Sequence, residues 1–356
     1  FFQLTILLIF SISIFFSDFL FIIFFNNHCD NKNAMKFFNF GKTPTKPIIG
    51  VTGPDHGGTA AWLFTALAIW RKNGIPLRLR PADFGYDQSG TKKRTPIKDV
   101  ADRIDGVVIG GGADVSPLKY LSAEELEEEK RQLQRTNVAN PSDREIARED
   151  TGNKLMGFFV YGVRKLFGRR PLSKEQLKQD ALARDDFETE LIQEMSKRQA
   201  PMVCICRGMQ LLAVLNGAKL NRDLSQFYTE FPNPYSPMAC KMANIDPNSN
   251  LHSVLGKKRI KINALHSQAV LDFNGKADED GHINIVARDD AHVPQAIELE
   301  GVKNVIAIQY HPEYLPSYHR HQNIFANLVH NAHEYRKKAN SSEPTERDPL
   351  LEKKNH

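Results

Sequence analysis

The sequence predicts an α/β fold, a mostly parallel sheet with helices on both faces and a strand-rich second half. Two observations carry this. Between Lys46 and Gly217, short apolar runs alternate with segments of helical period, the pattern of a parallel sheet covered on both sides. Beyond that, "KRIKINALH", "HINIVARDD", "PQAIELEG" and "VIAIQYHPE" come close together as strands.

The elements are taken in order. "KPIIGVTG" (46–53) is a short apolar run ending in glycine. "GTAAWLFTALAIWRKNG" (58–74) has helical spacing and a glycine stop. "IPLRLRP" (75–81) alternates as a strand, and "DGVVIGGGAD" (105–114) is a buried-type strand running into glycines. "ARDDFETELIQEMSKRQ" (183–199) is a helix, "PMVCI" (201–205) a strand, and "RGMQLLAVLNG" (207–217) a helix with Gly217 near its end. A last helix is expected over 317–337. One domain thus covers 46–337, and the polar tail 338–356 is expected to be disordered.

Residues 121–180 interrupt this rhythm. "LSAEELEEEKRQLQR" reads as a charged helix, with Ser122 and Glu125 as a capping box. "NKLMGFFVYGVRKLFGRRP" is apolar, then basic. The insertion either packs on the domain as a surface excursion or, through 155–170, meets a membrane surface or partner.

Composition narrows the class. The chain has 356 residues, 41% hydrophobic and 25% charged, which is ordinary globular composition. Net charge is +5, but the basic residues are interleaved with acids. No nucleic-acid stripe results, so no nucleic acid is expected as partner. Four cysteines, Cys29, Cys204, Cys206 and Cys240, are too few for a disulfide scaffold. Cys204 and Cys206 lack a partnering Cys/His pair at zinc-site spacing. No metal is expected, and a reduced compartment fits best.

Residues 1–25 are nearly all Phe, Leu and Ile, with one acid at Asp18. Each apolar residue gains about 0.3–0.6 kcal/mol on insertion, whereas an Asp costs at most about 3.5 kcal/mol, so the segment favours a bilayer. It forms, with a linker to residue 45, a hydrophobic N-terminal region. Two origins compete for it. It is a real anchor, or it is an upstream artefact ahead of a start at Met35. Lys32, Lys36, Lys42 and Lys46 would hold the remainder of the chain on the cytoplasmic side, so a cytoplasmic location is expected either way.

The chemistry centres on "CICRGMQLL". In open parallel sheets, ligands sit at the carboxyl ends of the strands. Cys206 falls where strand 201–205 meets helix 207–217. A nucleophile there is lifted out on a sharp turn, and Gly208 lets backbone pass closely. The helix N-terminus favours thiolate, the reactive form. The N–H of Arg207 would face an oxyanion at the attacked carbon. Cys204, two residues earlier, should point into the core. A thiolate needs a base, and the base an orienter. "QYHPE" supplies His311 at a strand end and Glu313 two residues on. "IGGGAD" can present backbone N–H groups to an anion. His319 and His321, near in sequence, are expected on a solvated helix surface.

These stretches resemble a known family. "PMVCICRGMQLL", "DGVVIGGGADVSPLKY", "LHSVLG", "NALHSQAV", "PQAIELEG" and "IAIQYHPE" look like motifs of class I glutamine amidotransferase-like proteins, and most like the gamma-glutamyl-gamma-aminobutyrate hydrolase group within the gamma-glutamyl hydrolase peptidases. "ARDDFETELI" resembles the segment preceding the elbow there. The resemblance covers roughly 46–335 apart from 121–180. It implies a flavodoxin-like sheet and a triad of Cys206, His311 and Glu313. It implies an oxyanion hole from the Gly111–Gly112 turn and Arg207, with Gln210, His266 and Gln268 near the substrate. It implies hydrolysis of a small-molecule gamma-glutamyl amide, releasing glutamate, without a metal or organic cofactor. Alternatives are a glutaminase handing ammonia to a synthetase, and a non-catalytic scaffold. Departures are Cys204 for the usual elbow Gly, Ala213 where Asn is common, Ser267 for a second His, Gly110 for a Pro and Ala113 for a Gly. They leave the triad residues in place and bear on substrate choice.

Overall fold

The structure, a computed structural model, describes residues 45–86, 92–112, 115–116, 119, 124, 173–221, 224, 227 and 236–341. The hydrophobic segment 1–25, Met35, the Ser122–Glu125 capping box, the 155–170 segment and the tail beyond Ser341 lie outside the described residues.

The described strands are β1 Ile48–Thr52, β2 Ile75–Leu79, β3 Gly106–Ile109, β4 Met202–Ile205, β5 Leu220–Asn221, β6 Ser236–Ile245, β7 Arg259–Ala264, β8 Ala269–Val270, β9 Ile283–Asp289, β10 Pro294–Leu299 and β11 Val305–Ile308. Nine of them form one sheet in the order β2-β1-β3-β4-β11-β10-β9-β6-β7. The short strands β5 and β8 pair separately. The first five sheet strands are mutually parallel. With β11 as fifth strand, their order is the flavodoxin-like 2-1-3-4-5. The remaining pairs are antiparallel, which is the strand-rich second half.

The described helices are α1 Thr59–Arg71, α2 Ile97–Ala101, α3 Lys174–Lys197, α4 Arg207–Leu215, α5 Asn250–Leu255 and α6 His319–Ser341. They divide between the faces because parallel strands bury both of theirs. Val108, Val203 and Ile205 pack with Leu63 and Leu67 of α1 and Phe325 and Leu328 of α6. Val107, Ile109, Met202 and Cys204 pack with Phe187 and Leu191 of α3 and Met209 and Leu212 of α4. Each such large apolar side chain contributes about 1.5–3 kcal/mol when fully buried.

Two boundaries differ from expectation. Helix α3 starts at Lys174, within the stretch assigned to the insertion, where Ser173 and Gln176 form a capping box. Helix α6 continues to Ser341, into the expected tail. His321 also departs from expectation. It is buried, its Nε2 is 2.8 Å from the Lys261 carbonyl, and its ring meets Tyr310 edge-on. The first turn of α6 faces β7 there, whereas His319, two residues away, is exposed.

Candidate active site

Strand register assembles the site. Ile109 lies opposite Cys204, and Ile205 opposite Ile308. The chain segments leaving β3, β4 and β11 therefore emerge side by side at their carboxyl ends, where ligands bind in open parallel sheets. Those segments are Gly110–Gly112, Cys206 and Gln309–Glu313.

Cys206 is the N-cap of α4 at φ 53° and ψ −108°. A positive φ is costly for a residue with a Cβ. It is held there by its N–H donating to the Ile308 carbonyl at 2.7 Å and its carbonyl accepting from Gln210 N at 3.1 Å. Helix α4 can start this abruptly because residue 208 is glycine. A Cβ on Gly208 would drive into the Ile109 carbonyl. Cys204 points to the α3 face, fully buried. Burial, reinforced by the charge of Glu188, pushes its thiol far above the usual range.

His311 presents Nδ1 to Glu313 Oε1 at 2.7 Å, both side chains being buried. Its ring stands beside Cys206, the two side chains flanking the same face of Gly111. Burial pulls the imidazolium down, but the Glu313 carboxylate and the Cys206 sulfur outweigh it, and the pKa is pushed up to about 10. Pro312 opens the tight turn that lets residues two apart face each other. Gly111 closes the third side. A Cβ there would stand 2.5 Å from His311 Cε1 and 3.4 Å from Cys206 Cβ.

Two groups absent from the sequence-based expectation hold this arrangement. Asn263 of β7 accepts from His311 N and donates to His311 O, both at 2.8 Å. Strand β7 is four places from β11 in the sheet, so this contact requires the antiparallel half to curl back over the site. On the α3 side, Arg184, Asp185, Glu188 and Arg207 form a buried ionic cluster. Thr52 donates to Glu188 Oε1 at 2.6 Å and accepts from Gly110 N at 3.1 Å. The signal for the cluster lay in phase. Arg184, Phe187, Glu188, Leu191, Ile192 and Met195 share one helical stripe. Asn263 was hidden because it alternates with exposed Arg259 and Lys261.

Gln210, His266 and Gln268 come together in one buried cluster. Gln210 Nε2 donates to the Gln268 carbonyl and to Gln309 Oε1, each at 3.1 Å. His266 Nδ1 is 3.1 Å from the same Gln268 carbonyl. A carbonyl only accepts, so Nδ1 carries the proton and Nε2 is the acceptor. Burial, only partly offset by that bond, lowers the His266 pKa to about 4. Gln268 Oε1 has no partner among the described residues. Among the described residues no group of three or more His, Cys, Asp or Glu is arranged to hold a metal ion. None of their helices is long and apolar enough to cross a membrane.

A thiol on a strained turn, a buried His-carboxylate pair and a glycine packed on both make an arrangement suited to covalent acyl chemistry. Residues 160–313 match the Peptidase C26 family model. YvdE of Lactococcus lactis subsp. lactis, whose name describes it as glutamine amidotransferase-like, is 30% identical over 150 residues, 42% of this chain and 60% of that protein. Protein NtpR of Enterococcus hirae is 30% identical over 138 residues, 37% of this chain and 55% of that protein. The matched segments thus span less than two thirds of these relatives. A glutamine amidotransferase from Thermotoga maritima superposes with a TM-score of 0.41 at 14% identity, over 81% of this chain and 99% of that one. A likeness of that size says nothing about activity. Over these segments the chain is similar to the Peptidase C26 family model and to a protein named as glutamine amidotransferase-like.

Proposed function

We propose that this chain is a cysteine hydrolase of gamma-glutamyl amide bonds, with Cys206, His311 and Glu313 as its triad. The observation that carries the proposal is the strained Cys206 turn beside a buried His311 whose Nδ1 meets Glu313.

The Cys206 thiolate attacks the gamma-carbonyl carbon. The C–S bond forms and the carbonyl electron pair moves onto oxygen. Backbone N–H groups of Arg207 and the Gly111–Gly112 turn take up that charge. His311 gives its proton to the amine nitrogen as the C–N bond breaks, leaving a thioester. Water then loses a proton to His311 and attacks the thioester, and the sulfur departs as thiolate. Glutamate and a free amine are the products. Glu313 keeps the imidazole oriented and stabilises its charged form. Gln210, His266 and Gln268 border the substrate. No cofactor takes part in this scheme.

The test is glutamate release from a panel of gamma-glutamyl amides that includes glutamine, using wild type and Cys206→Ala. Release that disappears in the variant is the expected result. A preference for glutamine itself would favour the ammonia-delivering alternative. No release from any member would defeat the proposal.

A further inference from the structure

The buried ionic cluster on α3 touches neither the sulfur nor the imidazole, yet it grips the backbone on both sides of them. Arg184 Nη2 donates to the carbonyls of Gly110 and Gly111, at 2.8 and 3.0 Å. In a planar trans peptide the carbonyl and the next N–H point opposite ways. Holding those two carbonyls toward α3 therefore turns the N–H groups of Gly111 and Gly112 away from it, to the side where Cys206 and His311 lie. Neither N–H meets an acceptor among the described residues. A Cβ on Gly112 would collide with Arg184 Nη1, so the guanidinium packs directly against this loop.

The same cluster fastens the other donor. Arg207 comes directly after the nucleophile, and as the first residue of α4 its N–H has no acceptor within the helix. Its side chain is clamped by Asp185 and Glu188. Glu188 also takes Arg184 Nε at 2.8 Å and the Thr52 hydroxyl, and Asp185 takes the N–H of Ser116 at 2.9 Å. Two cations and two anions balance, so the cluster places donors while adding no net charge to the site. A buried pair of this kind is weak evidence of stability. Its geometry points to alignment.

We propose that Arg184, locked by Glu188, is a positioning residue that, with the Arg207 clamp, aims the Gly111, Gly112 and Arg207 N–H groups as one oxyanion hole. The proposal rests on the acyl chemistry at Cys206, but not on the gamma-glutamyl specificity. A guanidinium on the far side of both peptides also polarises their N–H groups toward the developing oxyanion.

The experiment compares two reactions of Cys206 in the full chain, followed on the Cys206 peptide by mass spectrometry after quenching and digestion. Acylation by p-nitrophenyl acetate passes through a tetrahedral oxyanion. Alkylation by iodoacetamide does not. Arg184→Lys keeps a cation but cannot fork across two carbonyls and Glu188. Thr52→Val is a milder variant that only removes the hydroxyl between Gly110 N and Glu188. Loss of a single oxyanion donor costs about 10²–10³ in rate. Arg184→Lys is expected to slow acylation by on the order of 10²-fold, and Thr52→Val by on the order of 10-fold. Alkylation should stay within about two-fold of wild type for both, since the thiol and His311 are untouched. Equal losses in both reactions would mean general disruption and overturn the proposal. So would unchanged acylation in Arg184→Lys, or a wild-type Cys206 that alkylates but never acylates. A gamma-glutamyl panel that fails while the acylation-to-alkylation ratio still shifts would sink the substrate assignment and leave this inference standing.

Discussion

His311 Nδ1 lies 2.7 Å from Glu313 Oε1, and the carboxylate's other oxygen has no partner among the described residues. The negative charge of Glu313 is thus directed at the imidazole. Glu313→Gln keeps a hydrogen-bonding group but removes the charge, so the His311 pKa should drop from about 10. An adjacent opposite charge is worth roughly 1–3 pH units. The alkaline limb of the rate profile should move down by about that amount, with turnover reduced less than in Cys206→Ala. The stability profile changes in the same sense. The folded pKa of His311 is raised above its ordinary 6.5, so its contribution is complete below pH 6.5 and fades as pH rises toward 10. Denaturant titrations of wild type should show that alkaline loss, and Glu313→Gln should show less of it. An unchanged pH–rate profile would remove Glu313 from the triad.

Cys204 and Cys206 should separate cleanly under iodoacetamide. Loss of turnover should track labelling of Cys206, because Cys204 is fully buried with its thiol held far above neutral pH by burial and Glu188. Exposed Cys240 serves as an internal comparison. Cys204→Ala should remain active and lose about 1 kcal/mol of stability, the cost of a methyl-sized void. Peptide mapping that finds inactivation without Cys206 modification would reverse the assignment.

Asn263 should behave as part of the His311 scaffold. Asn263→Ala leaves the N–H of His311 unpaired in a buried place and its carbonyl with only the 3.3 Å bond from Tyr314 N, at about 1–3 kcal/mol for a stranded polar group. It should also slow turnover, since the Tyr314 N–H alone would then hold that backbone. Asn263→Asp keeps the acceptor but loses the donor, and should fall between. Thermal unfolding and kcat measured on both variants check this. Wild-type kcat in Asn263→Ala would show that His311 is held without Asn263.

Acid should destabilise the fold before the carboxylates titrate. His266 and His321 are both lowered from 6.5 to about 4, chiefly by burial. Each favours the folded state fully above pH 6.5, and that stability is lost as pH falls toward 4. Two such groups give a slope of up to about 2.7 kcal/mol per pH unit. Urea midpoints at pH 7, 6 and 5 should fall accordingly, and His321→Gln should flatten the decline by roughly half. A midpoint independent of pH across that range would show that neither histidine is held neutral.

Much of the fold was legible because its signals are local. The run GVVI of β3 and the helix of α1 announce themselves by composition and period over a few residues. The triad candidates were legible for the same reason. Cys206 sits at a strand–helix joint, and His311 and Glu313 sit two residues apart across one turn. His321 was misjudged because an (i, i+2) pair on a helix was placed on the surface as a whole, whereas β7 covers only one of its two directions.

The order of strands and helices, the Cys206 turn and the His311–Glu313 pair were determined by the sequence itself, since each depends on residues near in the chain. Tertiary structure alone decided what holds them. Asn263 reaches His311 across 48 residues, Arg184 reaches Gly110 across 74, and Glu188 reaches Thr52 across 136. Periodicity can mark such residues as facing inward, but it carries no register between distant segments. Only when the sheet assembles and its second half curls back do those polar groups meet their partners in the buried site.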